Sequence, residues 1–272
     1  MDENTKFLVA GGDLRQIYLA KKLAQSFKVY TCGLGDTDTD ISKLKGIDVL
    51  VLPIIISNNE THLNAPFSNE QITLESLIPC LKEDSIVTGG RFTDEVSKIF
   101  TSCGFEIVDY FKREELIIKN CIPTAEGTLQ IAMEELPVTI YGSKVLILGY
   151  GRVGKATAKL FSSVGAKVAV AVRKYSDGAW CQLNGFKSLQ FKDLENYLDG
   201  FDLIINTVPA KLLNANKLSL IPKNSLIIDL ASKPGGVDFE VAREIGVKVI
   251  WALSIPLDVT ATKQKRQGNS LS

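Results

Sequence analysis

A run of six residues, Gly149 to Gly154, carries the spacing G-x-G-x-x-G between an apolar strand-like run and a helix-like segment. In that setting the first glycine permits a tight turn, Gly151 lets a pyrophosphate approach the backbone, and the third glycine lets helix and strand pack closely. The backbone N–H groups at the helix start, where Arg152 and Val153 lie, would then face the anion. The spacing predicts a dinucleotide-binding turn; the alternative is a glycine turn that only joins a strand to a helix.

The apolar run VAVAV that follows ends on two cations, Arg173 and Lys174. In a dinucleotide-binding unit this strand end usually carries an Asp or Glu that binds a ribose hydroxyl. Guanidinium and ammonium groups would instead pair with a 2′-phosphate, which is an anion. We therefore expect NADP(H) rather than NAD(H). The alternative is that both cations are solvated at a strand end and that specificity is set elsewhere.

Two later loops follow apolar strand-like runs and should face the nicotinamide side of the same crevice. The first follows "FDLIIN" and contributes Asn206, Thr207 and Pro209 as candidate cofactor-binding residues. The second follows "SLIIDL" and contributes Ala231, with Lys233 as a cation beside the crevice. A solvated loop lysine is an equally good interpretation of Lys233.

The first half of the chain offers candidate ligands for an anionic substrate. Gly11 and Gly12 end the first predicted strand without the third glycine of a dinucleotide turn, so a second cofactor is not expected. Their N–H groups and Arg15 would suit an anion, as would Ser57 and Lys233. Other residues at strand ends on the same rim are Asn58, Gly89, Gly90 and Arg91.

No residue is assigned as the general base. The single histidine, His62, lies in a polar segment from Ser57 to Ser68 that predicts a long loop. It is a candidate proton shuttle, but a surface-loop histidine is the simpler interpretation. The five cysteines are scattered and never spaced C-x-x-C, and no H-E-x-x-H or Ser-His-Asp order is present. We therefore expect no metal site and no hydrolase chemistry.

Strand-like and helix-like segments alternate along the chain, which predicts α/β architecture: two domains with parallel sheets, the second a Rossmann (doubly wound) nucleotide-binding domain. We expect a flavodoxin-like substrate or partner domain over residues 1–119 and a connecting helix over residues 120–136, with Thr124 as its N-cap. The Rossmann domain would cover residues 137–255, and an atypical tail residues 256–272.

The charge balance excludes several classes of protein. Among 272 residues, 31 Lys and Arg match 31 Asp and Glu, so the formal net charge is zero. A basic excess would mark a protein that binds nucleic acid or a membrane surface. The polar start "MDENTKFLVA" does not resemble a signal peptide, and the scattered cysteines are typical of reduced thiols, so we expect a cytoplasmic protein.

Six segments in combination resemble the family of the A subunit of dipicolinate synthase: "VAGGDLRQ", "FSNE", "IPTAEGT", "GYGRVGKATAKLFSSVGAKV", "INTVPAKLL" and "DLASKPGGVDF". The resemblance runs from about Phe7 to about Leu253. It implies a Rossmann domain, an architecture similar to that of 2-hydroxyacid dehydrogenases, and NADP(H) as cofactor. It also implies that the partner is a flavoprotein-like B subunit and that the substrate is a small dicarboxylate, oxidised to dipicolinate in the mother cell during sporulation.

The tail departs from this resemblance. Where family members resemble "LPGKVAPKTAG" followed by a closing helix, this chain has "IPLDVTATKQKRQGNSLS". The family's closing helix is therefore expected to be missing or altered here.

Three hypotheses follow for function. The first is an NADP(H)-linked oxidoreductase subunit in which a hydride passes from a dihydropyridine-type ring to the nicotinamide across an interdomain cleft. The second is a non-catalytic NADP(H)-binding subunit whose chemistry occurs only with a partner. A 2-hydroxyacid dehydrogenase ranks third, because it would need a histidine in the cleft, and the only histidine is in the first half. The sequence leaves the oligomeric state open.

Overall fold

The computed structural model describes residues 2–35, 38–232 and 234–252. The described chain divides into two compact units, residues 2–117 and residues 118–252. Within these ranges no helix combines the length and the apolar character that crossing a membrane would require.

The first unit is a parallel sheet of five strands in the order β2-β1-β3-β4-β5, the order of flavodoxin-like doubly wound folds. Apolar runs form its central strands, and β3 is buried along almost its whole length. The strands are β1 (Lys6–Ala10), β2 (Lys28–Cys32), β3 (Ile47–Val51), β4 (Leu81–Gly89) and β5 (Glu106–Asp109), with helices α1 (Leu14–Leu23) and α2 (Asp94–Thr101).

The strand order of this sheet decides where a ligand would bind. β1 pairs with β2 on one side and β3 on the other, so the chain reverses its direction of travel across the sheet at β1. In open parallel sheets, ligands bind outside the carboxyl ends of the strands at this reversal. The loops after β1, β3, β4 and β5 all lie at that edge.

The expected connecting helix over residues 120–136 is observed as α3 (Glu114–Glu135), which begins earlier than expected. Thr124 is inside this helix and is not its N-cap. Its hydroxyl donates to the carbonyl of Asn120 at 3.1 Å, the bond to the preceding turn that a threonine can make inside a helix. Thr128 donates in the same way to the carbonyl of Thr124 at 2.7 Å.

The second unit is a parallel sheet of six strands in the order β11-β10-β9-β6-β7-β8, the doubly wound Rossmann order. Apolar clusters cover both of its faces. Its strands are β6 (Lys144–Leu148), β7 (Lys167–Val172), β8 (Lys187–Gln190), β9 (Leu203–Asn206), β10 (Leu226–Asp229) and β11 (Lys248–Trp251), and its helices are α4 (Arg152–Ser163), α5 (Tyr175–Leu183), α6 (Ala215–Leu218) and α7 (Phe239–Ile245).

The fold class expected from the sequence is therefore confirmed. The edge strand β8 was not predicted, because its sequence KSLQ contains one apolar residue and therefore shows no apolar run. Two short 3₁₀ turns, Phe191–Asn196 and Leu198–Gly200, follow this strand.

Candidate functional site

The glycine turn after β6 is held in a conformation that requires its first glycine. Gly149 has a φ of 97°, a left-handed value that residues with a Cβ rarely adopt. A Cβ atom at this position would lie 2.7 Å from Val208 Cγ2 and 2.8 Å from Thr207 Oγ1. The Gly149 N–H donates to the carbonyl of Ala171 at 2.9 Å, which fixes the turn against β7.

The other two glycines of the motif have opposite surroundings. A Cβ at Gly154 would lie 2.2 Å from the carbonyl oxygen of Gly149, so the close approach of α4 to the turn requires glycine. A Cβ at Gly151, the N-cap of α4, would meet no atom within 4 Å. The start of α4, at Arg152 and Val153, thus has open space beside Gly151, and this arrangement fits the pyrophosphate of a dinucleotide, which binds at helix N-termini.

Asn206 is the last residue of β9 and Thr207 follows it, at the carboxyl end of the sheet, where β9 pairs with β6. The Thr207 hydroxyl donates to the carbonyl of Leu148 at 2.8 Å and ties β9 to β6. Asn206 is fully buried, and its side-chain amide donates to the carbonyl of Val208 at 3.0 Å and to Asp229 Oδ1 at 2.8 Å. Since the donor hydrogens of both side chains are used internally, these residues position the loop, and Pro209 on it is exposed.

Asp229, which was not predicted from the sequence, is the centre of this hydrogen-bond network. Its buried carboxylate also accepts the N–H groups of Ala231 at 3.0 Å and Gly236 at 2.7 Å. Asp229 and Asn206 are direct neighbours in the register of β10 and β9. The signal in the sequence was a polar residue at the end of each of two apolar runs. Lys233, two residues beyond Ala231, lies outside the described residues.

Arg173 and Lys174 lie where the sequence predicted, directly after β7 at its carboxyl end. Both side chains are exposed, and Lys174 precedes the first turn of α5. Among the described residues neither cation forms an ion pair. A third cation, Lys192, lies 6.0 Å from the ring centroid of Tyr175, the residue after Lys174. It follows β8 and was missed because that strand was missed.

The glycines at the end of β1 do not offer their N–H groups to an anion, contrary to expectation. The Gly11 N–H donates to the carbonyl of Cys32 at 2.8 Å, and the Gly12 N–H donates to the carbonyl of Asn64 at 2.6 Å. Both glycines have positive φ, and a Cβ on either would clash with a neighbouring side chain. Their role in this structure is therefore to build the turn.

Arg15 also has a partner within the protein. Its Nε and Nη2 atoms donate to the two carboxylate oxygens of Asp13 at 2.9 and 2.7 Å, so a neighbouring anion already neutralises the guanidinium. In the loop after β3, the Ser57 hydroxyl bonds Asn59 Oδ1 at 3.1 Å. His62 Nδ1 lies 2.9 Å from the Thr61 hydroxyl oxygen, which gives this histidine a partner within its own loop.

The comparisons with known proteins agree with both halves of this description. Residues 6–111 match the family model for the N-terminal domain of the A subunit of dipicolinate synthase. The A subunit of dipicolinate synthase of Bacillus subtilis (strain 168) is 32% identical over 263 residues, covering 92% of this chain and 89% of that protein. The chain belongs to the family of dipicolinate synthase A subunits.

Two crystal structures of this family have the same fold. The A subunit of dipicolinate synthase from Bacillus halodurans is 31% identical, with a TM-score of 0.84, over 94% of this chain and 92% of that one. The dipicolinate synthase A chain from Bacillus subtilis is 29% identical, with a TM-score of 0.82, over 99% of both chains.

The second half of this family member also matches a broader group. Residues 123–237 match the model described as D-isomer specific 2-hydroxyacid dehydrogenase, NAD binding domain. Together with the open glycine turn, this match identifies an oxidoreductase-type protein whose cofactor is a nicotinamide dinucleotide.

Proposed function

We propose that this chain is an NADP(H)-linked oxidoreductase subunit that converts a dihydrodipicolinate-pathway intermediate to dipicolinate during sporulation. The observation that carries the proposal is the likeness to the A subunit of a dipicolinate synthase over 92% of the chain. Because that relative is named as one subunit of a synthase, a second protein should complete the enzyme, and we propose the flavoprotein-like B subunit for that role.

The choice of NADP(H) is supported by the charges after β7. A 2′-phosphate carries more than one negative charge at neutral pH, and Arg173 and Lys174 are exposed cations without carboxylate partners among the described residues. A planar guanidinium can bind two phosphate oxygens at once, and an ammonium adds a point charge. A cofactor with a free 2′-hydroxyl would give these cations no anion to pair with.

The chain's own residues hold and orient the reactants. The N–H groups at the start of α4 bind the pyrophosphate, and Gly151 leaves the space for it. The network of Asn206 and Asp229 fixes the loops on the nicotinamide side. The chemistry that such a cofactor supplies is acceptance of a hydride: the dihydropyridine ring loses a hydride and a proton, and the ring becomes aromatic.

The cofactor assignment is tested by titrating the purified chain with NADPH and with NADH and following fluorescence. In Arg173→Ala we expect the Kd for NADPH to rise about 10- to 100-fold, because a charge-assisted hydrogen bond contributes about 1.5–3 kcal/mol. The Kd for NADH should change less than about twofold, and added salt should weaken NADPH binding more in the wild type than in the variant.

Lys167→Ala is the matched control for this titration. Lys167 is an exposed cation on the same strand, but at its amino end, away from the glycine turn. Its loss should leave both affinities unchanged. The role of Arg173 would be refuted if the wild type bound NADPH and NADH with equal affinity. It would also be refuted if Arg173→Ala and Lys167→Ala raised the Kd for NADPH by the same factor.

A second candidate function, a non-catalytic NADP(H)-binding subunit, is favoured by the position of His62, whose Nδ1 is bonded, among the described residues, to side chains of its own loop. The two candidates differ in what the purified chain does by itself. Dipicolinate formation with NADP⁺ by the isolated chain would eliminate the second candidate. NADPH binding without turnover, followed by turnover when the B subunit is added, would keep the second candidate and show that the partner is obligatory.

A further inference from the structure

Arg91, the second residue after β4, has an unusual backbone conformation. Its φ is 58°, in the left-handed region, and among the described residues Glu60 is the other non-glycine residue with a positive φ. Left-handed backbone is costly for a residue with a Cβ, and such residues persist where surrounding contacts hold them. The conformation therefore raises the question of what these contacts achieve.

Several contacts hold Arg91 in place. Its N–H donates to Asp109 Oδ1 at 3.2 Å, and the same oxygen accepts the N–H of Phe111 at 2.8 Å. The guanidinium carbon lies 4.6 Å from the centroid of the Phe111 ring. The preceding Gly90 N–H donates to the carbonyl of Pro53 at 3.2 Å. Hydrogen bonds thus connect the loops at the carboxyl ends of β3, β4 and β5, and a cation–π contact fixes the Arg91 side chain against them.

The charge of Arg91 is not neutralised by this arrangement. Its side chain is exposed, and no carboxylate of the described residues lies within ion-pair distance of its guanidinium. Asp109 is used through the backbone N–H of Arg91 and not through the side chain. Arg15, at the neighbouring end of β1, already has both arms of its fork on Asp13. The sequence alone made Arg15 the better candidate, and the structure reverses that order.

We propose that Arg91 binds one carboxylate of the dicarboxylate substrate and so selects for a substrate with two carboxylates; this rests on the proposed function. A guanidinium stacked on an aromatic ring has its face covered, while its N–H fork stays free in the guanidinium plane. That fork matches the two oxygens of a carboxylate and forms two parallel charge-assisted hydrogen bonds. The braced backbone orders the side chain before the ligand arrives, which lowers the entropic cost of binding.

The test compares the product, pyridine-2,6-dicarboxylate, with its one-carboxylate analogue, pyridine-2-carboxylate, in equilibrium titrations of the full chain saturated with NADPH. The variants are Arg91→Gly and Arg91→Lys. Glycine relieves the left-handed backbone, so the fold is retained and loss of binding cannot be ascribed to strain. In Arg91→Gly we expect the Kd of the dicarboxylate to rise at least about tenfold, because a bidentate charge-assisted pair is lost. The Kd of the monocarboxylate should change by less than about threefold.

Lysine keeps the charge but loses the fork and the flat stacking surface, so Arg91→Lys should give an intermediate Kd. Arg113→Ala is the matched control, because that exposed arginine is paired with Glu115. It should leave the Kd unchanged. In the complex with the B subunit, Arg91→Gly should raise KM for the substrate more than it lowers kcat, and NADPH affinity should stay within about twofold of the wild type.

The outcomes separate this inference from the proposed function. If the wild type makes dipicolinate and Arg91→Gly binds the dicarboxylate equally well with an unchanged KM, the role of Arg91 is refuted and the proposed function stands. If the wild type binds the dicarboxylate through Arg91 but makes no dipicolinate with the B subunit, the proposed function fails and the Arg91 site stands. If the wild type neither binds the dicarboxylate nor forms it, both are refuted.

Discussion

Alanine substitutions in the glycine turn should separate cofactor binding from folding, because the second and third glycines differ in what a Cβ would meet. At Gly151 the added methyl group has no neighbour within 4 Å, and the backbone conformation is extended, with a φ of −76°. At Gly154 the added methyl group would lie 2.2 Å from the carbonyl oxygen of Gly149. The same substitution three residues apart should therefore have two different consequences.

The magnitudes follow from these distances. Gly154→Ala forces α4 and the turn apart by roughly 1 Å, and overpacking of this kind costs about 1–3 kcal/mol. For a chain of this size that corresponds to a fall in Tm of about 3–10 °C. Gly151→Ala should leave Tm within about 2 °C, because neither contact nor backbone changes. Its methyl group occupies the space for the pyrophosphate, and loss of one charge-assisted hydrogen bond there raises the Kd about 10- to 100-fold.

Two assays measure the two effects independently. Thermal unfolding of the cofactor-free chain, followed by circular dichroism, reports the fold without any contribution from binding. Fluorescence titration with NADPH then reports the affinity. Gly200→Ala is the matched control, because a Cβ at Gly200 also meets no atom within 4 Å but the residue precedes β9, far along the chain from the turn.

Two results would refute the reasoning. If Gly151→Ala binds NADPH as tightly as Gly200→Ala does, the open space beside Gly151 is not where the cofactor binds. If Gly154→Ala unfolds at the wild-type temperature, the turn accommodates the added methyl group without loss of stability. The third glycine is then not needed for packing.

Three further predictions concern stability and reactivity. Thr157→Val removes a fully buried hydroxyl that has no hydrogen-bond partner in the described structure, and Thr128→Val removes a hydroxyl that donates to a helix carbonyl. Urea titration should show the first variant more stable by about 1 kcal/mol and the second less stable by a similar amount, and the reverse order would contradict this. Burial raises the pKa of the Cys32 thiol to about 12, so at a mildly alkaline pH a thiol reagent should modify the exposed Cys103 rapidly and Cys32 only as the protein unfolds; fast modification of Cys32 in the folded protein would contradict this. The Nζ of Lys82 donates a hydrogen bond to Asp48 and lowers the pKa of that carboxyl. The stabilising effect of this bond is therefore present above the unfolded pKa of about 4 and is lost as the pH falls through the lower pKa of the folded state. Asp48→Asn should therefore be less stable than the wild type at neutral pH, with a gap that shrinks in acid, and a constant gap would show that the carboxylate charge is not involved.

The sequence by itself determined the fold class and the position of the dinucleotide turn. Apolar runs of five or six residues alternating with helix-like segments are local features, and parallel sheets follow from them because βαβ units have few ways to pack. The spacing of Gly149, Gly151 and Gly154 is also local, and all three positions have the geometry that the motif requires. The cations after β7 were predictable for the same reason, since a strand end is defined within one run of residues.

The tertiary structure alone decided which polar groups remain available to a ligand. Gly11 and Gly12 looked like free N–H donors until the fold brought the carbonyls of Cys32 and Asn64 onto them. Asn206 looked like a cofactor ligand until the pairing of β9 with β10 placed Asp229 beside its amide. Arg91 owes its conformation to Asp109 and Phe111 at the end of another strand. Hydrogen-bond saturation and charge neutralisation depend on partners that are distant in the chain, so no local pattern records them.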